Sequence, residues 1–136
     1  GKFLIQPLGA VATKFLSSPK VRKSVNEKAY FDRSFVTADA QLCAALHLEM
    51  PNWSEALIAF TRSGGYCYLI DRLSEIGQET LIIWGKQDRI LGVKAAQLFK
   101  QNLPNSQLQW IENCGHVPHL EMAQITAQSI LDFVDF

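Results

Sequence analysis

Thr80-Leu81-Ile82-Ile83-Trp84, running into Gly85-Lys86-Gln87-Asp88-Arg89, is the stretch whose reading decides the fold. An unbroken run of β-prone apolar residues marks a strand covered on both faces, as in a parallel sheet. The polar residues after it form a loop. Val93–Gln101 then has helical character and stops near Asn102-Leu103-Pro104-Asn105. Gln107-Leu108-Gln109-Trp110-Ile111 reads as a second short strand, and Glu112-Asn113-Cys114-Gly115-His116 as a second polar loop. A last helix is expected from Glu121 to about Val134, with Ala123, Ala127, Ile130, Leu131 and Val134 on one face. Strand, loop, helix, strand, loop, helix makes a right-handed parallel unit of α/β class.

Asp88 and His116 each fall just past the C-terminal end of a predicted strand. In open α/β sheets this is the edge where polar groups converge and ligands bind. Neighbouring strands lie about 4.8 Å apart, so a carboxylate on one loop can reach an imidazole on the next. An acid bonded to one imidazole nitrogen fixes the tautomer and steadies the imidazolium. The other nitrogen is then available as a base.

Upstream of about residue 78 the pattern changes and is helical throughout. Phe3, Leu4, Leu8, Val11, Ala12, Phe15 and Leu16 approach a helical apolar stripe, interrupted by Pro7 and Gly9 and closed by Ser17-Ser18-Pro19. A helix over Ala38–Glu49 has Thr37 as its cap and Asp39 in its first turn, and Met50-Pro51 stops it. Asn52 with Glu55 resembles a capping box for a helix over Trp53–Arg62, ended by Ser63-Gly64-Gly65. A short helix is expected around Tyr66–Leu73. Lys20, Arg22 and Lys23 read as a solvated face.

The 136 residues suffice for one domain of ordinary size, and 48% apolar with 19% charged residues excludes a disordered chain. Thirteen basic and 13 acidic side chains cancel, so no field gathers nucleic acid or an anionic membrane, and neither is an expected partner. No apolar run approaches the roughly 20 residues that span a bilayer. Cys43, Cys67 and Cys114 fit neither a zinc pattern nor a disulfide framework, and reduced thiols in a cytoplasmic setting are expected. The chain opens on Gly1 rather than Met, which suggests a fragment or a processed product.

Leu81-Ile82-Ile83-Trp84-Gly85-Lys86-Gln87-Asp88 and Gly115-His116-Val117-Pro118-His119-Leu120-Glu121 closely resemble two segments of the α/β-hydrolase family. The resemblance covers residues 79–136 and implies the C-terminal part of that fold. It assigns residues 1–78 to the family's variable helical lid. It implies that Asp88 is the acid and His116 the base of a Ser-Asp-His triad, in the chain order serine, acid, histidine. The nucleophile would then precede Asp88 on a Gly-x-Ser-x-Gly elbow, which this sequence lacks. Arg62-Ser63-Gly64-Gly65 comes nearest, but its spacing is wrong and Ser63 follows a helix. The elbow and the oxyanion-hole segment are therefore expected upstream of Gly1, and this chain alone is expected to be inactive.

The implied activity is serine hydrolysis of an ester or related acyl compound with an apolar small-molecule substrate and no cofactor or metal. Relatives with an aspartate at the elbow, epoxide hydrolases and haloalkane dehalogenases, share both motifs, and a carbon–carbon bond hydrolase is also open. A non-catalytic binding or scaffold module is the alternative of a different class. Trp84, at the mouth of the acid loop, and Trp53, on the helical half, are the candidates to touch an apolar substrate, although cores use tryptophan in the same way. His119 and His47 read as structural. Cys114 shares the loop of the base and is not placed at an elbow, so it is not expected to be a nucleophile. Two parallel strands are few for a sheet. An exposed edge, with apolar faces at Ile82, Ile83 and Leu108, is expected to pair with the upstream part of the same protein or with a second copy in a homodimer.

Overall fold

The computed structural model describes residues 5–63 and 69–134, with backbone alone for residues 5–10. In chain order the elements are α1 (Ile5–Leu16), α2 (Pro19–Ala29), a 3₁₀ turn at Arg33–Phe35, α3 (Ala38–Ala45), a 3₁₀ turn at Leu46–Glu49, α4 (Trp53–Arg62), a 3₁₀ turn at Ile70–Glu75, β1 (Thr80–Gly85), α5 (Val93–Asn102), β2 (Ser106–Ile111), α6 (Pro118–Glu121) and α7 (Ala123–Val134). The chain divides into two compact units. Gly1–Asn26 with Val36–Cys67 form a helical unit, and Glu27–Phe35 with Tyr68–Phe136 form a strand unit.

In the strand unit, β1 and β2 pair in parallel, in register from Thr80 opposite Ser106 to Gly85 opposite Ile111. Both expected strands, their helices and the α/β class are therefore present. No β1 residue is exposed, because α5 and α7 pack against it. Ile82, expected on an open face, is buried by this packing, and Ile83 and Leu108 are half-buried. β2 is one-sided, with Gln107 and Gln109 exposed and Leu108 and Trp110 half-buried. Ile82, Ala96, Leu103, Ile111 and Cys114 form the core of this unit, together with Ala29 and Tyr30.

The last helix differs from expectation in two ways. It is broken at Met122, whose φ of −129° and ψ of 51° leave the helical region and separate α6 from α7. Its inner stripe is Met122, Thr126, Ser129 and Phe133, and Thr126 is buried. The stripe through Ala123, Ala127, Ile130, Leu131 and Val134 faces outward, with Val134 65% exposed. Both stripes carry apolar side chains at helical spacing, so periodicity alone does not choose between them. Thr126 fixes the orientation, because its Oγ1 donates to the Pro118 carbonyl at 2.9 Å.

In the helical unit, α1 tolerates Pro7 because it lies in the first turn, where no intrahelical N–H is lost. Thr13 is buried on α1, whereas Val11, Phe15 and Leu16 of the expected stripe are exposed. α2 lies in the region expected to be helical, though no bounds were expected for it. It is polar along its length, yet Pro19 at its start is pre-set for a helix. Thr37 caps α3 as expected, its hydroxyl accepting from the Ala40 N–H at 3.1 Å. The predicted 38–49 helix tightens after Ala45 into the 3₁₀ turn. Asn52 makes no capping box, because its φ of 61° is left-handed and its side chain makes no cap hydrogen bond. The helix expected around residues 66–73 falls partly outside the described residues, and the 3₁₀ turn at Ile70–Glu75 is what is described there. Terminator residues 64 and 65 also lie outside.

Candidate active site

The site is built where both strands of the strand unit end. Beyond Gly85 and Ile111 the chains stay zipped: the Lys86 N–H donates to the Ile111 carbonyl at 2.9 Å, and the Gln87 N–H to the Cys114 carbonyl at 2.9 Å. The Gln87 side chain answers, its Oε1 accepting from the Cys114 N–H at 3.0 Å. Gly85 permits this approach, since a Cβ there would collide with the carbonyl oxygens of Gly115 and Cys114. Asn113 turns the second loop with a φ of 52°, a left-handed conformation that asparagine accepts better than most residues.

On this frame the Asp88 carboxylate meets the His116 ring, with Oδ2 3.0 Å from Nδ1. Its other oxygen, Oδ1, accepts from the N–H groups of Ile90 at 2.7 Å and Leu91 at 3.0 Å. The Asp88 side chain is only 2% exposed, whereas that of His116 is 34% exposed. Burial would raise the Asp88 carboxyl. The hydrogen bond from His116 and the two backbone donors outweigh it and hold the group below the usual carboxylate range. An ionised carboxylate only accepts, so Nδ1 carries the hydrogen, and Nε2 is the nitrogen left to present a lone pair.

Both residues line a cavity of about 260 Å³, with Ile83, Trp84, Gly85, Leu91, Pro118 and His119 completing the wall. Asp88, His116 and Trp84 are thus brought together. Trp84 also packs against Phe99 of α5, with ring centroids 6.2 Å apart. Trp53 belongs to the helical unit, where its ring lies 5.8 Å from that of His47 and lines a hollow with Thr13, Leu48 and Ile58. Cys114 is fully buried, and burial, with the charge and hydrogen bonding of Glu121 next, pushes its thiol up to about 11. It is therefore a neutral thiol, unfit as a nucleophile. Among the described residues no cluster of His, Cys, Asp and Glu could hold a metal ion, and no helix is long and apolar enough to cross a membrane.

Three supports of the site escaped sequence reasoning. One is Gln87, just described. The second is the strap Ala29–Asp32, whose Ala29 carbonyl accepts from the His116 N–H at 2.6 Å. The third is Glu121, read as the end of the histidine segment and the start of the last helix but given no role. It is 4% exposed and binds both the strap and the histidine loop. A glutamate at the edge of a motif was the only local signal, and the strap left none.

Comparison with known proteins identifies the family. The family model described as alpha/beta hydrolase fold matches residues 29–123, well over half of the chain. Monoacylglycerol lipase ABHD6 of Mus musculus is 41% identical over 66 residues, which are 48% of this chain and 20% of the lipase. The 2-hydroxy-6-oxononadienedioate/2-hydroxy-6-oxononatrienedioate hydrolase 2 of Pseudomonas putida is 35% identical over 88 residues, 65% of this chain and 30% of that enzyme. In fold, the chain is similar to a meta-cleavage product hydrolase from Pseudomonas fluorescens, with a TM-score of 0.72 at 18% identity over 87% of this chain and 46% of that one. The chain thus spans under a third of the length of these curated relatives. A parallel strand pair whose two C-terminal loops bring an aspartate and a histidine together, matched across most of its length by that family model, places this chain in the α/β-hydrolase fold family.

Proposed function

We propose that this chain supplies the acid and the base of a serine hydrolase that acts on esters or related acyl compounds. The observation that carries the reading is the 3.0 Å contact between a buried Asp88 and the Nδ1 of a partly exposed His116 at the wall of a cavity. Asp88 holds the tautomer and stabilises the imidazolium. Nε2 of His116 takes the proton of a serine hydroxyl as that oxygen attacks the acyl carbon. His116 then gives the proton to the leaving group, and afterwards activates water to release the acyl group. The serine and the oxyanion donors come from sequence outside these 136 residues, since no Gly-x-Ser-x-Gly elbow occurs among them. The helical unit serves as the lid.

Ile83, Trp84, Leu91 and Pro118 give the cavity an apolar wall, and none of the described residues that line it is a lysine or arginine, which favours an uncharged apolar acyl group. The similarity to the hydrolase from Pseudomonas putida supports a second reading, a substrate bearing carboxylates. The lack of a fixed cation in this wall weighs against it.

The test uses the complete gene product with a fluorophosphonate probe and a short-chain p-nitrophenyl ester. Labelling of a serine, together with ester turnover that His116→Ala abolishes, is the expected result. A complete protein that turns over substrate but resists the probe would move the nucleophile to an aspartate. A protein inert to both would leave a binding module.

A further inference from the structure

Glu121 is a carboxylate that the reaction outlined above does not use, and it is 4% exposed. Burying a charge is costly unless hydrogen bonds compensate it. Here each oxygen is matched to one backbone donor. Oε2 accepts from the Gly115 N–H at 2.7 Å, and Oε1 from the Asp32 N–H at 2.6 Å. The first donor immediately precedes His116. The second lies on the strap whose Ala29 carbonyl accepts from the His116 N–H at 2.6 Å. The backbone of His116 is therefore gripped from both sides, and both grips pass through the strap or through Glu121. Gly115 shows how closely the parts fit: a Cβ there would collide with the Ala29 carbonyl oxygen and lie 2.9 Å from the Phe31 nitrogen.

We propose that Glu121 is a positioning residue for His116, its carboxylate joining Gly115 to Asp32 and so fixing the backbone from which the imidazole reaches Asp88. Glu121 touches no reacting atom. It acts through the loop, and it needs both oxygens as acceptors. Glutamine has the same shape but turns an amide donor toward one of the two N–H groups. Aspartate is one methylene too short to span both. The inference rests on the reading of His116 as the base.

The experiment compares Glu121→Gln, Glu121→Asp and, as a control for stability alone, Leu103→Ala in the complete protein. Leu103 is buried at the far end of the sheet from the site. The first readout is the far-downfield proton resonance of Nδ1–H in the bond to Asp88, assigned by its loss in His116→Ala. The second is ester turnover. Glu121→Gln and Glu121→Asp are expected to broaden or shift the resonance. They are also expected to lower kcat by about 10- to 100-fold, the usual penalty for misplacing a catalytic group by about 1 Å, with KM little changed. Leu103→Ala is expected to lower Tm while leaving the resonance and kcat in place. Should the Glu121 variants not fold, Asp32→Pro removes the strap donor and must disturb the same resonance, with Asp32→Ala as its control, since both lose the side-chain bond to the Ser34 N–H but only the proline loses the bond to Glu121. A folded Glu121→Gln protein with wild-type resonance and kcat would overturn the proposal. An unperturbed wild-type resonance in a protein without any hydrolytic activity would instead overturn the reading of the reaction. Glu121 would still be tested there by the spectrum.

Discussion

The strand unit and the helical unit hold themselves together in different ways. In the strand unit the decisive hydrogen bonds join residues far apart in sequence: Asp32 with Glu121, His116 with Ala29 and Asp88, and Gln87 with Cys114. All the buried apolar residues belong to this unit among the described side chains. Among the described residues of the helical unit are short-range bonds, such as the Thr37 cap and the Thr61 hydroxyl on the Ile58 carbonyl, beside a longer tie from Arg22 to the Ala44 carbonyl. Val11, Phe15, Leu42, Leu46 and Met50 are exposed there. Long-range closure fixes two side chains relative to each other, whereas local closure fixes only a helix. Chemistry that needs a set distance belongs in the first kind of structure.

The largest effect that would break this contrast is at Asp88. In the complete enzyme, Asp88→Asn is expected to lower kcat by about 10⁴-fold, because the amide releases the His116 tautomer. Steady-state ester kinetics would check it. The same carboxyl also bears on acid stability. Its folded pKa lies below the ordinary value of about 3.9, so its contribution is complete above that value and is lost as pH falls through the lower folded value. Asp88→Asn should lack this part of the acid transition in a pH series of thermal melts.

Next in size is Gly115→Ala. The added methyl displaces the strap, and the bonds from His116 to Ala29 and from Asp32 to Glu121 go with it. A loss of about 3 kcal/mol is expected from overpacking and broken hydrogen bonds, measured by denaturant unfolding. Thr37→Ala in the helical unit removes a cap and is expected to cost about 1 kcal/mol, without altering the Nδ1–H resonance of His116. Smallest is Arg72→Ala. Its pair with Glu75 has side chains 69% and 58% exposed, and Tm should not move measurably.

The parts of the molecule legible in the sequence were those encoded in contiguous residues. The β1 run is apolar without interruption because both of its faces are covered, and Asp88 and His116 follow their strands within a few positions. What could not be read was set by partners elsewhere. The strap and Glu121 are 89 positions apart, and no periodicity connects them. The turn of α7 onto Thr126 rather than onto its more apolar stripe depends on one hydroxyl reaching Pro118. α2 could have been found, since Pro19 after Ser18 is a fair start signal. Its polar composition concealed it, because Val21, Val25 and Ala29 alone make a thin apolar stripe among charged neighbours. Asn52 fitted a capping pattern in letters, but the left-handed backbone gave that position a different geometry.

The burial of Cys114 makes the histidine loop its own reporter. The sulfur has no exposed surface and stays protonated well above neutral pH, so a thiol reagent can reach it only when the fold around the histidine loop opens. Cys43 is exposed and should react at once, setting the fast reference within the same molecule. The slow phase of labelling at Cys114 then measures how often the imidazole's support comes undone, in seconds or hours, without any substrate present.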